Sequence, residues 1–418
     1  MPDGWAWARI IDIATLKSGG QYEICEDEGS YAYVKVADMN NEENQNEIKV
    51  STKRCLCKEN ELIPINSIIF PKRGGAILTN KKRINIRFPI AVDSNTMAMT
   101  PFLGVGLRYL KCWLDSFDLS SLWSGNIVPQ INNQDIYPLF IPIPPLAEQL
   151  RIAAAIESAF SIIDEIEQAK TDLQAAAAAA KQKILALAIS GRLVPQDPSD
   201  EPASALLERI RAEREKQAKN GKTKPSKKAK SPAATRDSSH YADIPDSWIW
   251  CKLDDIGLTN IGLTYKPADI CSDGVPVLRS SNIKKGKLDL TDVIRVSTAF
   301  GNNLELQSQD ILICARNGSR HLVGKCAIIP EDSERMTFGA FMAVFRSICS
   351  QYVYHFLNSD FFRQVFDSEG ISTQINQLTQ AMIRDTTIPL PPLAEQRRIV
   401  AAIEAAFAQL DAIASEVQ

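Results

Sequence analysis

The sequence predicts an α+β protein organised as a pseudo-two-fold internal repeat, in which two mixed α/β domains alternate with two long helices. Three observations predict it. Residues 141–168 and 388–415, aligned at a fixed offset of 247, share 18 identities in 28 positions, so the chain repeats itself. Ahead of each copy lie short apolar runs such as "YAYVKV", "INSIIF", "GVPVLR" and "QDILIC", broken by Gly, Asn, Asp and Pro, as strands and turns are. Inside each copy apolar residues recur at alternating steps of four and three, the pattern of a helix with a heptad seam.

The repeat reaches well beyond the helices. "PDGWAWARIIDI" from Pro2 faces "PDSWIWCKLDDI" from Pro245, and "SIIFPKRGG" from Ser67 faces "DILICARNG" from Asp310. Aromatic and apolar spacing of three and four predicts a helix around Leu107–Phe117 and another over Gln351–Phe366. Gln130-Ile131-Asn132 and Gln374-Ile375-Asn376 form a further matched pair. The first long helix is predicted from Ala147 to about Ile189, with Pro144-Pro145 fixing its entry and Gly191 ending it. Its seam runs Ile156, Ala159, Ile163, Ile166, Lys170, Leu173, Ala177, Ala180, Ile184 and Leu187, and only Lys170 is polar on it. A second helix follows in "ASALLERIRAEREKQAK", then the basic linker "NGKTKPSKKAKSPAATRDSSH". The seam of the second long helix is Ile399, Ile403, Ala406, Leu410, Ile413 and Val417. The expected divisions are 1–145 and 240–388 for the two α/β domains, 146–239 for the central helical region with its linker, and 389–418 for the last helix.

Composition narrows the function. The 418 residues carry 45% hydrophobic and 23% charged side chains, ordinary values for a folded soluble chain. No apolar run of eighteen occurs and the N-terminus lacks signal-peptide order, so a cytoplasmic protein without a membrane partner is expected. Nine cysteines without a CxxC pair read as reduced thiols, and the three histidines form no ligand spacing, so no metal is expected. Net charge is −3, yet nine Lys or Arg against two Glu between Arg211 and Lys230 make that stretch +7 and leave −10 for the rest. Any nucleic-acid surface must therefore be a local patch.

No catalytic constellation emerges. "GSRHLVGKC" has one residue too many between its glycines for a phosphate loop and ends in Cys where Ser or Thr is needed. Pro2-Asp3 with Glu47-Ile48-Lys49 hints at a nuclease, but the second repeat keeps Pro245-Asp246 without a matching acidic-x-Lys. An Asn/Asp-Pro-Pro-aromatic methyltransferase motif is also missing. What remains is recognition, which needs Arg or Lys forks for guanine and Asn or Gln for adenine. Three loop pairs offer them. The first sets Lys72, Arg73, Lys81, Lys82 and Arg83 against Arg316, Asn317, Ser319 and Arg320. The second sets Lys17, Ser18 and Gln21 against Thr264, Tyr265 and Lys266, and the third sets Lys35 against Arg279 and Asn282. Solvated hairpin tips have similar composition, but divergent loops on a repeated frame suit two different half-sites.

The doubled Pro-Pro-Leu-Ala-Glu-Gln, together with "GRLVPQDPSDEPASALLERIRAEREK" and "PDSWIWCKLDDI", resembles the specificity subunit of type I restriction–modification systems over essentially the whole chain. The resemblance implies two target-recognition domains that read the halves of a bipartite target in double-stranded DNA. It also implies two helical regions that pack as an antiparallel coiled coil, space the domains and dock methyltransferase subunits, expected as two. Such a subunit is not itself catalytic; its partners use S-adenosylmethionine for adenine methylation, and ATP and Mg in a restriction subunit. A coiled-coil scaffold that binds protein only is the alternative. The second helix region is shorter than the first, so the seam at Ile152–Ile166 is expected to lack a full intramolecular partner and to be covered by a methyltransferase subunit or a second copy of the chain.

Overall fold

Pro144-Pro145 and Pro391-Pro392 each close an extended strand and open a helix, as a residue that fixes φ and lacks an amide donor dictates. The computed structural model describes residues 1–25, 30–123, 128–219, 244–368 and 377–416. These divide into two compact units, Met1–Gln168 and Ala169–Gln418.

In the first unit the opening strand Ala6–Arg9 pairs antiparallel with Phe140–Ile143, setting Trp7 opposite Pro142. In the second, Ile249–Lys252 pairs with Thr387–Leu390 in the same register, Trp250 opposite Pro389. The Trp motif and the Pro-Pro-Leu-Ala-Glu-Gln motif recur together because they are bonded to each other. Trp5 Nε1 donates to Glu148 Oε2 at 3.2 Å, and Trp248 Nε1 donates to Glu395 Oε2 at 2.9 Å. The motif glutamines hold the turn into each helix: Gln149 Nε2 donates to the Pro144 carbonyl and Gln396 Nε2 to the Pro391 carbonyl, both at 2.8 Å.

Each unit carries a four-stranded and a three-stranded sheet of matching order. In the first unit the four-stranded sheet runs Ala14–Ser18, Thr96–Pro101, Ser67–Pro71, Arg83–Asn85; in the second, Leu258–Ile261, Met342–Arg346, Ile311–Cys314, Cys326–Ile328. Gly19 and Gly262 each leave the first of these strands where a neighbouring backbone passes too close for a side chain: a Cβ would meet Asp93 O at 2.1 Å or Gly339 O at 2.3 Å. Apolar residues from both sheets fill separate cores, one around Ile68, Phe70 and Leu110, the other around Ile313, Phe345 and Tyr352.

The first long helix spans Leu146–Ile189, 44 residues, and the second Leu393–Ser415, 23 residues. Gly191, at φ +69°, ends the first. Arg192 N donates to Leu187 O at 2.9 Å and Gly191 N to Ala188 O at 3.3 Å, the paired bonds of a glycine-terminated helix. Within the second unit, the end of this helix lies antiparallel to the second long helix. Lys181 Nζ meets Asp411 Oδ1 at 2.5 Å, while Leu185, Ala188 and Ile189 share a core with Ile399, Val400 and Ile403. Within Met1–Gln168 the seam residues Ala159, Ile163 and Ile166 are exposed, as are Phe160 and Ile162 beside them, whereas Ile152 packs against the core. Ala203–Lys219 forms the further helix expected there. The basic linker, Gln374-Ile375-Asn376 and Val417 lie outside the described residues.

Two expectations need correction. The helix expected over Gln351–Phe366 is two helices, Ser350–Leu357 and Asp360–Ser368. Asn358 Nδ2 returns to Tyr354 O at 2.8 Å, and Ser359 Oγ bonds Phe356 O at 2.6 Å while accepting from Phe362 N at 3.3 Å. These side chains compete with the helical ladder and break it. The partner of Gln130 in the repeat is Gln377, not Gln374: Arg73 pairs with Gln130 and Arg316 with Gln377 in matching antiparallel bridges.

Candidate nucleic-acid interface

Arginine at a strand exit has its backbone fixed while its guanidinium stays free to reach outward. Arg316 follows the buried strand Ile311–Cys314; its amide donates to Phe341 O at 3.0 Å, and the bridge to Gln377 fixes its other side. Its guanidinium lies over the Phe341 ring, 5.4 Å from the centroid, and Phe341 is 61% exposed. Asn317 is held by its own turn, accepting from Ser319 N at 3.0 Å and donating to Ser280 Oγ at 3.1 Å. Around them opens a cleft of about 1120 Å³ lined by Leu263, Thr264, Tyr265, Arg279, Ser280, Ser281, Arg316, Asn317, Gly318, Gly339, Ala340, Phe341 and Met342. Four segments separate in sequence thus converge on one concave surface that presents guanidinium, carboxamide, hydroxyl and aromatic groups.

The sequence-derived residues of the second unit sort accordingly. Thr264, Tyr265, Arg279, Arg316 and Asn317 line the cleft. Lys266, Ser319 and Arg320 are exposed beside it without lining it. Asn282 is buried and works internally, accepting from Arg279 N at 2.9 Å and donating to Asp289 O at 3.0 Å and Asp292 O at 2.9 Å. Phe341 was not among the expected residues; in the apolar run "FMAVF" nothing distinguishes it from a core residue.

In the first unit Arg73 occupies the place of Arg316, exposed and bridged to Gln130. Beside it Lys72 Nζ donates to Ser18 Oγ at 2.9 Å, and burial together with the Arg73 charge lowers the Lys72 pKa. Gln21 is exposed, and the Lys35 ammonium lies 4.9 Å from the Tyr33 ring centroid. Lys17 Nζ donates to the carbonyls of Asn60 and Leu62, at 2.6 and 3.0 Å. Lys81 bonds Asn40 Oδ1. Lys82 is 2% exposed, its Nζ on Phe117 O at 2.8 Å, and burial pushes its pKa down to about 8. Arg83 reaches the carbonyls of Lys82 and Met39, at 3.0 and 3.1 Å. Lys82, Arg83 and Lys17 spend their donors on backbone carbonyls of their own unit.

A family model described as type I restriction modification DNA specificity domain matches residues 2–174 and again 245–416. The type I restriction enzyme EcoAI specificity subunit of Escherichia coli is 25% identical over 462 residues, covering 97% of this chain and 77% of that protein. The MjaVIII specificity subunit of Methanocaldococcus jannaschii is 22% identical, covering 95% of this chain and 84% of that one. Among solved structures, the HsdS subunit from Thermoanaerobacter tengcongensis shares the fold with a TM-score of 0.58 at 17% identity, covering all of this chain and 93% of that one. A chain from a type I R-M system superposes with a TM-score of 0.64 at 18% identity and the same coverage.

Proposed function

Because the chain belongs to the family of type I restriction modification DNA specificity domains, which it carries twice, we propose that the surfaces around Arg73 and Arg316 read the two halves of a bipartite DNA target. The chain is a DNA-specificity subunit, and the scaffold alternative is not favoured. One observation carries the assignment of the surfaces: Arg73 and Arg316 leave equivalent strands on equivalent bridges, while the side chains around them differ. A constant frame with variable contacts is what two unlike half-sites require.

In this reading Arg73 and Arg316 offer bidentate contacts to guanine, and Asn317 and Gln21 suit adenine. Ser18, Lys72, Thr264, Tyr265 and Arg279 complete the surfaces, with Lys35, Lys81, Lys266, Ser319 and Arg320 on the phosphate-facing rim. Lys17, Lys82, Arg83 and Asn282 serve the fold. Chemistry belongs to partners: two methyltransferase subunits docked on the helical segments, using S-adenosylmethionine, and a restriction subunit using ATP and Mg. The helices set the gap between half-sites.

Exchanging residues 245–388 for those of a relative, in the complex reconstituted with methyltransferase subunits, tests this. Mapping of methylated adenines is expected to show one half of the target changed and the other retained. An unchanged target, or a single contiguous footprint, would refute it.

A further inference from the structure

Beside each strand that carries an arginine lies a turn of the same shape whose tip differs between the repeats. In the first unit Thr96 N donates to Asp93 O at 2.9 Å and closes the turn 93–96; in the second Met342 N donates to Gly339 O at 2.8 Å and closes 339–342. Both turns enter matching strands. Pro71 pairs with Thr96 as Cys314 pairs with Met342, and Gly19 N donates to Thr96 O as Gly262 N donates to Met342 O. Lys72 N donates to Asn95 O at 2.8 Å, and Ala315 N to Phe341 O at 2.9 Å. Asn95 therefore holds in the first unit the place of Phe341 in the second. No single spacing reveals this pair in the sequence, because Arg73 and Arg316 are 243 residues apart and Asn95 and Phe341 are 246 apart.

Both side chains are exposed. The Phe341 ring stands in the cleft wall with the Arg316 guanidinium over it. Asn95 reaches its own turn through a 3.4 Å contact from Nδ2 to Asp93 Oδ2, which leaves the carboxamide facing outward. One turn position next to a fixed arginine thus presents a carboxamide in one repeat and an apolar ring in the other. Those are the two chemistries that tell apart the members of an A·T pair in the major groove: a carboxamide bonds adenine N6 and N7, and an apolar side chain meets the thymine C5-methyl. An exposed ring also gains when a methyl group displaces its hydration water.

We infer that Asn95 and Phe341 are specificity-determining residues, Asn95 reading an adenine and Phe341 a thymine methyl, each next to the base contacted by Arg73 or Arg316. The inference rests on the two-half reading above and adds which base edge each turn selects.

The test uses the chain reconstituted with methyltransferase subunits, on the target found by mapping methylated adenines. In the half that changes when residues 245–388 are exchanged, thymines are replaced one at a time by deoxyuridine, which lacks the methyl group. One replacement is expected to weaken binding about four-fold, the ~0.8 kcal/mol of one buried carbon. Phe341→Ala should bind thymine and deoxyuridine alike at that position. Asn95→Ala should lose at least about five-fold of discrimination at one adenine of the other half. Both side chains are exposed, so neither substitution removes core packing. Absence of a deoxyuridine penalty at every thymine of that half would overturn the inference. So would a uniform loss across all positions in Phe341→Ala, which makes the ring a brace for Arg316 alone, or an unchanged adenine preference in Asn95→Ala. Each of these failures leaves the domain exchange still switching half of the target. An exchange that leaves the target unchanged removes the two-half reading, and this inference with it.

Discussion

A guanidinium can read a base only if its backbone is fixed and its charge is not already spent. Arg316 meets both conditions, whereas the Lys82 ammonium is buried and spent on the Phe117 carbonyl. Replacing Arg316 by Lys keeps charge but loses the planar fork and its stacking on Phe341. Arg316→Lys is expected to cost about 1–3 kcal/mol of discrimination at one base position while changing salt dependence little, measured by competition binding of the reconstituted complex. Lys82→Ala should instead lower the melting temperature and leave target choice unchanged. His355 gives a pH effect. Burial among Tyr354 and Phe407 pushes its pKa down to about 4, so the folded state binds fewer protons than the unfolded chain. Its contribution to stability is complete above the unfolded value near 6.5 and is lost as pH falls toward 4, at most ~3 kcal/mol. His355→Phe should flatten the fall in melting temperature between pH 7 and pH 4; an unchanged slope would exclude His355 as its source. These distinctions were only partly legible in the sequence. Arg316, Asn317, Thr264, Tyr265 and Arg279 were found because loops at repeated positions point to one surface. Phe341 was missed because it hides in an apolar run, and Lys82 was expected on the DNA-facing loop because it looks like an ordinary loop lysine until the fold buries it.

At the scale of elements, local chemistry marks boundaries well when a single residue type decides them. Pro-Pro placed both helix starts and Gly191 placed the first helix end, since each forces a backbone state that few other residues tolerate. The Asn358-Ser359 break stayed hidden because apolar spacing continues across it and side-chain back-bonding decides the outcome. Gly191 also carries a prediction. A Cβ there would lie 2.4 Å from Pro245 Cγ, and the positive φ disfavours any side chain. Gly191→Ala is expected to destabilise the unit by roughly 1–3 kcal/mol, read as a lowered denaturation midpoint with an unchanged slope. The penalty should exceed that of Gly75→Ala, where a Cβ meets nothing within 4 Å.

At the scale of the whole molecule, the repeat determines how perturbations combine. Arg73 belongs to Met1–Gln168 and Arg316 to Ala169–Gln418, units with separate cores, each arginine on its own bridge. Each arginine is held by bonds within its own unit, so substitutions at the two should act independently. Arg73→Ala is expected to relax selectivity in one half of the target, Arg316→Ala in the other, and the double substitution to relax both. Losses of binding free energy should sum within about 0.5 kcal/mol, as they do for sites that share no partner. Binding of the reconstituted complex to targets mutated in either half, for the two single variants and the double, supplies the cycle. A coupling well above that margin, or relaxation of the same half by both substitutions, would mean that the two arginines serve one shared site and that the repeat does not divide the reading of DNA.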